Sequence, residues 1–204
     1  MNHKTTAPDE PENLFLINEC GEAFKETDLA EETVSSEVMF RGHVFTVEKN
    51  EVLLHDGTRA PREIVRHNGG AAILPLDEDG YVYMVRQYRC PFQKVLLEIP
   101  AGKMEPDEDP KLCAIRELKE ETGLEACTVE SLGYIYPTPG YCSEVLYLFL
   151  ATDLWKGESC PDTGEFINVH RIPLRILLRM IHNGEISDAK TIVALLKAAR
   201  RLGV

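Results

Sequence analysis

The sequence predicts an α/β fold in which a mixed sheet packs between helices, with a small antiparallel β lobe ahead of it. Two observations predict this architecture. Short strand-like segments, separated by turn signals, precede and follow one strongly acidic helical segment, and two further helical patterns lie near residue 204. Strands that flank a central helix, with more helices beyond them, favour layers of helix, sheet and helix.

The bulk properties fit a globular protein of one domain, with or without a small appended lobe. The 204 residues can bury a sizeable core as one domain, or as one domain with a small appended lobe. The net charge of −12 argues against a nucleic-acid partner, which needs clustered lysine and arginine. A small anionic substrate stays possible, since a metal ion and a few arginines can reverse the sign of the charge inside a cleft.

The cysteines and the apolar segments bear on localisation. The six cysteines (positions 20, 90, 113, 127, 142 and 160) form no CxxC pair, so we expect free thiols in a reducing cytoplasm. The first residues, MNHKTTAPDEPEN, contain no basic segment followed by an apolar run, so we expect no signal peptide. No apolar stretch approaches the length of a membrane span, so we expect no membrane partner and a cytoplasmic localisation.

The sequence predicts that the chain has three parts. Residues 1–36 are expected to be an extension that is partly disordered, because residues 1–13 are polar and contain two prolines. Residues 37–67 carry three short strand patterns with Asp56-Gly57 as a turn signal, and predict a small antiparallel β lobe. Three such strands bury little apolar surface by themselves, so we expect them to pack against another surface. The main domain, which contains the acidic helix, is expected to span 68–204.

The main domain shows alternating strand and helix patterns. The strands are predicted at 71–76, 81–88, 95–99, 129–136, 145–151 and 166–171, with a loop rich in Gly, Pro and acids at 156–164. Two amphipathic helices, at 173–182 and 188–202, are predicted to pack on the core.

The acidic helix has clear start and stop signals. Asp109 is a good N-cap, and Pro110 falls at the first helical position, where a missing N–H costs nothing. Leu112, Ile115 and Leu118 recur at three-residue steps and predict a buried stripe. Gly123 can adopt the left-handed conformation that ends a helix.

Three carboxylates crowd onto one flank of this helix. Glu117 and Glu121 are four residues apart, with Glu120 between them. Like charges at this spacing cost roughly 0.2–0.5 kcal/mol per pair on an isolated helix, and a divalent cation with oxygen ligands would offset that repulsion. A solvated acidic face is the commoner meaning of such a run. Glu108 and Arg116 at fixed offsets favour the cation site here.

Residues 102–124, GKMEPDEDPKLCAIRELKEETGL, resemble the signature of the Nudix hydrolases, G-x5-E-x7-R-E-U-x-E-E-x-G-U with U aliphatic, and meet every defined position. The resemblance implies an α/β/α sandwich with a mixed sheet. It also implies Mg²⁺-dependent hydrolysis of a nucleoside diphosphate linked to another moiety, with Mn²⁺ as a possible substitute. The implied metal ligands are Glu117, Glu120, Glu121 and the Ala101 carbonyl. The resemblance also implies that Arg116 braces a glutamate and that Glu108 has a supporting role.

Three further segments resemble the ADP-ribose pyrophosphatase branch of that family. Thr138-Pro139-Gly140 lies where the branch has a proline-glycine loop, which implies a substrate-binding Pro139, although such a tripeptide alone is usually a turn. Residues 85–89 and 97–102 also match, which implies that Arg89 binds phosphate and that Glu98 makes a contact near the metals. The alternative is an Arg89 that pairs with an acid at a strand end.

The branch also implies a catalytic acid and a second subunit. Glu165 is the first choice for the glutamate of the acidic loop before a late strand, with Asp162 and Glu158 as alternatives; Glu120 and Arg116 complete the expected catalytic set. The N-terminal lobe of the branch exchanges between two subunits and helps to hold adenine, which implies a homodimer. The polar candidates for that contact are Arg62, Glu63 and Arg66, each of which could equally be a surface charge.

These features predict a Mg²⁺-dependent Nudix pyrophosphatase that hydrolyses ADP-ribose or a related nucleotide sugar to AMP and a sugar phosphate. One alternative is a different Nudix specificity, such as GDP-mannose or a dinucleoside polyphosphate, because the signature reads the diphosphate and not the base. A second alternative is a regulator that binds ADP-ribose without cleaving it. Such regulators usually lose signature glutamates or carry a DNA-binding domain, and this sequence keeps the glutamates.

Overall fold

The computed structural model describes residues 29–157 and 167–204. The predictions for residues 1–28 and for the acidic loop, including Glu158, Asp162 and Glu165, lie outside the described residues. The strands and helices of the described parts are β1 Glu32–Arg41, β2 Phe45–Leu53, β3 Arg59–His67, β4 Gly70–Pro75, β5 Tyr81–Arg89, β6 Lys94–Glu98, β7 Ala101–Lys103, α1 Pro110–Thr122, β8 Leu124–Ile135, β9 Leu146–Lys156, β10 Asn168–Pro173, α2 Leu174–His182 and α3 Ala189–Leu202. No helix in these parts is long and apolar enough to cross a membrane.

The chain divides into two compact units. Of the described residues, 29–37 and 49–62 belong to the first unit, and the second contains 38–48 together with those from 63 onwards. Strands β1, β2 and β3 form a three-stranded sheet in that order. β1 begins before the predicted start of the lobe at residue 37, and all ten of its residues are exposed. The predicted boundaries at 36/37 and 67/68 stay a prediction.

The larger unit contains two sheets. One has the order β10-β5-β6, with antiparallel neighbours. The other has the order β7-β4-β9-β8, in which β4 runs parallel to β9 and antiparallel to β7. The predicted mixed sheet is therefore confirmed. β7 was not predicted, because three residues are too few to show a strand pattern.

Strand β4 lies at the centre of the layered core. Its side chains alternate between the two faces of the sheet. Ala72 and Leu74 belong to a core cluster that contains residues of α2 and α3, whereas Ala71 and Ile73 belong to a second cluster that contains residues of α1. Helices therefore cover both faces, and the predicted α/β/α sandwich is confirmed.

Helix α1 begins and ends at the predicted residues. Oδ1 of Asp109 accepts hydrogen bonds from the backbone N–H groups of Lys111 (2.9 Å) and Leu112 (3.1 Å). These bonds satisfy donors that the first turn of a helix leaves without partners. At the other end, Gly123 adopts φ 69°, which glycine reaches without a steric cost.

The predicted buried stripe of α1 is wrong in two of its three positions. Leu112 is 62% exposed and Ile115 is 37% exposed, whereas Leu118 is fully buried. Six residues turn a helix by about 600°, so Leu112 and Leu118 point about 120° apart. The buried face follows steps of four instead and consists of Cys113, Ala114, Glu117, Leu118 and Glu121.

We expect the two leucines to respond differently to truncation. Leu118→Ala should lower the free energy of unfolding by about 2–5 kcal/mol, because it leaves a cavity in the core beneath the sheet. Leu112→Ala, the matched control on the same helix, should change it by no more than about 0.5 kcal/mol. Urea unfolding of both variants measures the difference. Equal losses would contradict the burial pattern of α1.

Candidate active site

The segment that precedes α1 is held by backbone and side-chain hydrogen bonds. The N–H of Ile73 donates to the Pro100 carbonyl at 2.9 Å. The N–H of Ala101 donates to Oε2 of Glu121 at 3.2 Å, which ties this segment to α1. The N–H of Ile99 donates to Oγ1 of Thr191 at 2.9 Å, which ties it to α3. Residues 99–101 are thus fixed between a strand and two helices.

Gly102 lies directly against a carboxylate of α1. A Cβ atom at this position would lie 1.8 Å from Oε1 of Glu117, far inside contact distance. The signature glycine is therefore required for space. Without a side chain there, the Glu117 carboxylate can rest against the backbone of β7.

Arg116 connects the carboxylates of the signature. Its Nε and Nη2 donate to the two oxygens of Glu108 at 3.0 and 3.1 Å. Its Nη1 donates to Glu117 Oε1 at 2.7 Å and to Glu120 Oε2 at 2.9 Å. The hydrogen bonds that Arg116 donates to Glu108 are the main reason that the pKa of Arg116 is raised, and the same bonds lower the pKa of Glu108. One guanidinium thus orients three glutamates.

The residues of α1 have the chemistry of a cation site. Glu117 and Glu121 are each 8% exposed, and the side chain of Glu120 is 26% exposed. Oxygen donors of this kind are what Mg²⁺ and Ca²⁺ prefer. In the described parts of the chain, no three His, Cys, Asp or Glu side chains already surround a common point as metal ligands. The donor type and the tight seat of Glu117 against Gly102 nevertheless fit a divalent cation.

Cys113 lies on the same buried face without reactive character. Burial, the largest cause, and the nearby charge of Glu108 raise the pKa of its thiol to about 12. A thiol with so high a pKa stays protonated and is a poor nucleophile at neutral pH. Cys113 is therefore a packing residue.

A cavity of about 510 Å³ opens beside this segment. Ala101, Gly102 and Lys103 of β7 form part of its lining, so the cavity begins where the signature begins. Its other polar lining residues are His67, Gln87, Arg89, Glu144, Asp188 and Lys190. A nucleotide-sized ligand needs a cavity of several hundred Å³, and this one reaches that size.

Arg89 and Glu98 form a half-buried charge pair at this cavity. Nε and Nη2 of Arg89 each donate to an oxygen of Glu98 at 2.8 Å, and Glu98 is only 1% exposed. Lys190 also donates to Glu98 and lies 3.0 Å from Oδ1 of Asp188. Burial by itself would raise the pKa of Glu98, but the hydrogen bond from Arg89 and the charge of Lys190 outweigh it, so the pKa is lowered.

The geometry is compatible with both interpretations of Arg89, as a phosphate-binding residue and as the partner of an acid. It pairs with an acid, as the alternative interpretation states, and it also lines the cavity, as a phosphate-binding residue would. Its hydrogen bonds with Glu98 also raise the pKa of Arg89.

The other predicted substrate residues lie elsewhere. Pro139 is exposed and does not line the cavity, whereas Pro137 and Glu144 of the same loop do. Arg62 pairs with Glu31 (Nε to Oε2, 2.9 Å) in the smaller unit. In the larger unit, the other two residues of the predicted adenine contact are Glu63, which is exposed, and Arg66, which binds Glu48 at 2.8 Å.

Sequence reasoning missed Asp188 and Lys190. One sequence signal could have drawn attention to Lys190: it falls in the first turn of the helix predicted at 188–202, where the helix dipole disfavours a cation. Its burial, at 8% exposure, is visible only in the structure. His67 and Glu144 were missed as well. Nδ1 of His67 accepts a hydrogen bond from the N–H of Gly69 (2.9 Å) and lies 3.7 Å from Glu144.

The sequence matches the NUDIX domain over residues 66–195. It is also 37% identical over 169 residues to the ADP-ribose pyrophosphatase of Bacillus subtilis (strain 168), and the alignment covers 82% of this chain and 91% of that protein. The chain belongs to the Nudix family. The prediction of a Nudix pyrophosphohydrolase is thereby confirmed.

Two further relatives and one solved structure resemble this Nudix protein. It is 39% identical to the methanol dehydrogenase activator of Bacillus methanolicus, over 80% of this chain and 90% of that protein. It is 31% identical to the GDP-mannose pyrophosphatase of Yersinia enterocolitica, over 80% of this chain and 92% of that protein. The crystal structure of an ADP compounds hydrolase superposes with a TM-score of 0.76 at 25% identity, covering 86% of this chain and 96% of that one.

A methyl group at Gly102 should weaken cation binding by this Nudix protein. In Gly102→Ala, the new Cβ would displace Glu117, and we expect the affinity for Mn²⁺ to fall roughly ten- to hundredfold, as when a metal ligand loses its support. Isothermal titration calorimetry measures the affinity, and circular dichroism checks the fold. Gly140→Ala is the matched control, because a Cβ there meets nothing within 4 Å. Unchanged Mn²⁺ affinity in Gly102→Ala would disprove the role of this contact.

Proposed function

We propose that this Nudix protein hydrolyses the diphosphate of ADP-ribose, or of a related nucleotide sugar, to AMP and a sugar phosphate, with Mg²⁺ as its cation. The observation that carries the proposal is the acidic helix, braced by Arg116, beside a cavity that Arg89 lines. The names of similar proteins support the choice of substrate. The ADP-ribose pyrophosphatase of Bacillus subtilis is 37% identical over 82% of this chain, and that of Mycobacterium tuberculosis is 40% identical over 60% of this chain.

The residues of α1 would hold the cation. Its proposed ligands are the Ala101 carbonyl and the carboxylates of Glu117, Glu120 and Glu121. Arg116 holds Glu117 and Glu120 in place, and Glu121 accepts a hydrogen bond from the N–H of Ala101. A bound divalent cation neutralises the diphosphate charge and makes a water molecule a better nucleophile. Mn²⁺ has the same ligand preference and could substitute.

Arg89 would bind a phosphate oxygen. An arginine has five N–H donors, and the hydrogen bonds to Glu98 use one on Nε and one on Nη2. Further donors are thus available to an anion in the cavity. The pairing with Glu98 also restricts the guanidinium to one orientation, so that less conformational freedom is lost on binding.

A carboxylate of the acidic loop would accept the proton of the attacking water. Glu165 is the first candidate, with Asp162 and Glu158 as alternatives. A general base must lie within hydrogen-bonding reach of the water or act through a second water. Pro139 stays a candidate for substrate contact through its loop, in which Pro137 and Glu144 line the cavity.

A homodimer is part of the proposal. β1 exposes apolar side chains that a soluble protein rarely leaves uncovered: Val34 (43%), Val38 (41%) and Phe40 (54%). These residues are spaced by even numbers and so lie on one face of the strand. A second subunit that covers this face could place Arg62, Glu63 or Arg66 near the substrate of its partner, with or without exchange of the lobe.

Other nucleotide sugars are the second candidate substrates. GDP-mannose pyrophosphatases are 31–33% identical to this chain, and they are named for the same diphosphate chemistry on a different base and sugar. A regulator that binds ADP-ribose without cleaving it is less well supported, because the signature carboxylates are kept.

Replacement of Glu120 tests the cation site and the substrate together. We expect the parent protein with Mg²⁺ to convert ADP-ribose to AMP and a sugar phosphate faster than GDP-mannose, ADP-glucose or a dinucleoside polyphosphate. Glu120→Gln should lower the turnover number by orders of magnitude, because an amide binds a divalent cation more weakly than a carboxylate. Product identification by mass spectrometry measures both effects.

Glu130→Gln is the matched control for this experiment. Glu130 is exposed and pairs only loosely with Arg201, at 3.6 Å. If Glu120→Gln hydrolysed ADP-ribose at the parent rate, the assignment of the cation site would be wrong. If the parent protein preferred another substrate of the panel, the proposed diphosphate hydrolysis would be supported and that substrate would replace ADP-ribose in the proposal.

The exposed face of β1 allows a test of the dimer. Light scattering should give a mass of twice 23.0 kDa for the parent protein. Phe40→Glu should shift this mass towards that of the monomer, because a buried unpaired charge opposes association. Leu196→Glu introduces the same charge on α3, where Leu196 is 50% exposed, and should leave the mass unchanged. A monomeric parent would exclude the dimer.

A further inference from the structure

Lys190 belongs to a network of alternating charges at the cavity, in which Lys190 and Glu98 are buried and Arg89 and Asp188 are partly exposed. Glu98 lies between the guanidinium of Arg89 and the ammonium of Lys190, and Lys190 lies between Glu98 and Asp188. Two cations and two carboxylates thus balance each other. Removal of the lysine charge alone would leave this group of side chains with one net negative charge.

The position of Lys190 is fixed by the first turn of α3. Asp188 caps the helix, and its Oδ2 accepts a hydrogen bond from the N–H of Thr191 at 3.0 Å, while its Oδ1 faces Lys190. Thr191 also accepts a hydrogen bond from Ile99, the residue after Glu98. The contact with Asp188 and the link between Thr191 and Ile99 therefore both keep the Lys190 ammonium at the carboxylate of Glu98.

This location is unfavourable for a lysine. Burial of an ammonium group costs free energy unless it is paired, and the N-terminus of a helix repels a cation. A buried ion pair often contributes no more to stability than an apolar pair of the same size. Stability is therefore a weak reason for a charge at this position, and the function of the cavity is a better one.

Under the proposed function, the cavity accepts an anion. Arg89, Lys103 and Lys190 are the lysine and arginine residues of its lining, and Glu144 and Asp188 are the carboxylates. Glu98, immediately behind Arg89, adds a further carboxylate. Without the charge of Lys190, Arg89 would be the nearest partner left to offset Glu98 and Asp188, and a diphosphate would meet net negative charge there.

We propose that Lys190 is a positioning residue that offsets the charges of Glu98 and Asp188, so that Arg89 presents its positive charge to the substrate diphosphate. Lys190 acts through Glu98 and Arg89 and does not itself touch the reacting atoms. The inference rests on the proposed diphosphate hydrolysis, and it adds a determinant of substrate affinity that the signature does not contain.

Removal and restoration of the charge balance test this inference. In Lys190→Met, the KM for ADP-ribose should rise roughly tenfold or more, with a smaller change in kcat, because an uncompensated charge acts on binding. The double variant Lys190→Met with Asp188→Asn is neutral again, and its KM should return towards the parent value. Asparagine caps helices as well as aspartate does, so α3 keeps its N-cap.

Two further variants separate charge from structure. Lys190→Gln can still donate a hydrogen bond to Glu98 but carries no charge, so it should raise KM as Lys190→Met does; it also serves if Lys190→Met does not fold. Lys197→Met is the control on the same helix, because Lys197 donates to the Leu132 carbonyl at 2.7 Å and does not line the cavity. Its KM should equal that of the parent.

The outcomes distinguish this inference from the proposed function. An unchanged KM in Lys190→Met and Lys190→Gln, or a double variant as impaired as the single one, would overturn the role of Lys190. A parent protein that does not cleave ADP-ribose would instead overturn the proposed substrate. In that case, calorimetric binding of inorganic pyrophosphate to the same variants still tests the charge balance: weaker binding by Lys190→Met, restored in the double variant, supports it, and equal binding overturns it.

Discussion

The contact between the Glu117 carboxylate and the backbone at Gly102 is the constraint on which the rest of the site depends. It allows α1 to bury glutamates where a helix of this kind ordinarily buries leucines. Cys113 and Ala114 are small enough to bring the helix close to the sheet, and both are fully buried. Burial of a carboxylate is costly unless it is hydrogen-bonded, and the guanidinium of Arg116 meets that need.

The fold joins the two halves of the site through a very short segment. Glu98 ends β6 in one sheet, and Ala101 begins β7 in the other. The intervening residues, Ile99 and Pro100, are bound by α3 and β4 respectively. A shift of this segment would therefore move the proposed phosphate-binding side and the proposed cation-binding side together, which favours a fixed spacing between them.

The parts of the structure that sequence reasoning predicts are those set by local chemistry. The cap at Asp109 and the left-handed Gly123 follow from residue preferences at helix ends, and the signature acids Glu117, Glu120 and Glu121 lie within one helix. The buried stripe failed because a hydrophobic pattern cannot show that glutamates occupy the buried face. Lys190 was missed because 92 residues separate it from Glu98, and no local pattern reports a pair at that distance.

The two halves differ in their balance of charge, and this difference explains why they lie side by side. Around Arg116, three glutamates share one guanidinium, so the helix keeps net negative charge and attracts a cation. Around Glu98, two carboxylates are matched by Arg89 and Lys190, so this side does not repel an anion. A diphosphate with a bound divalent cation carries both kinds of charge over a few ångströms. A ligand of that composition can satisfy both halves at once, whereas a free cation or a free anion satisfies only one.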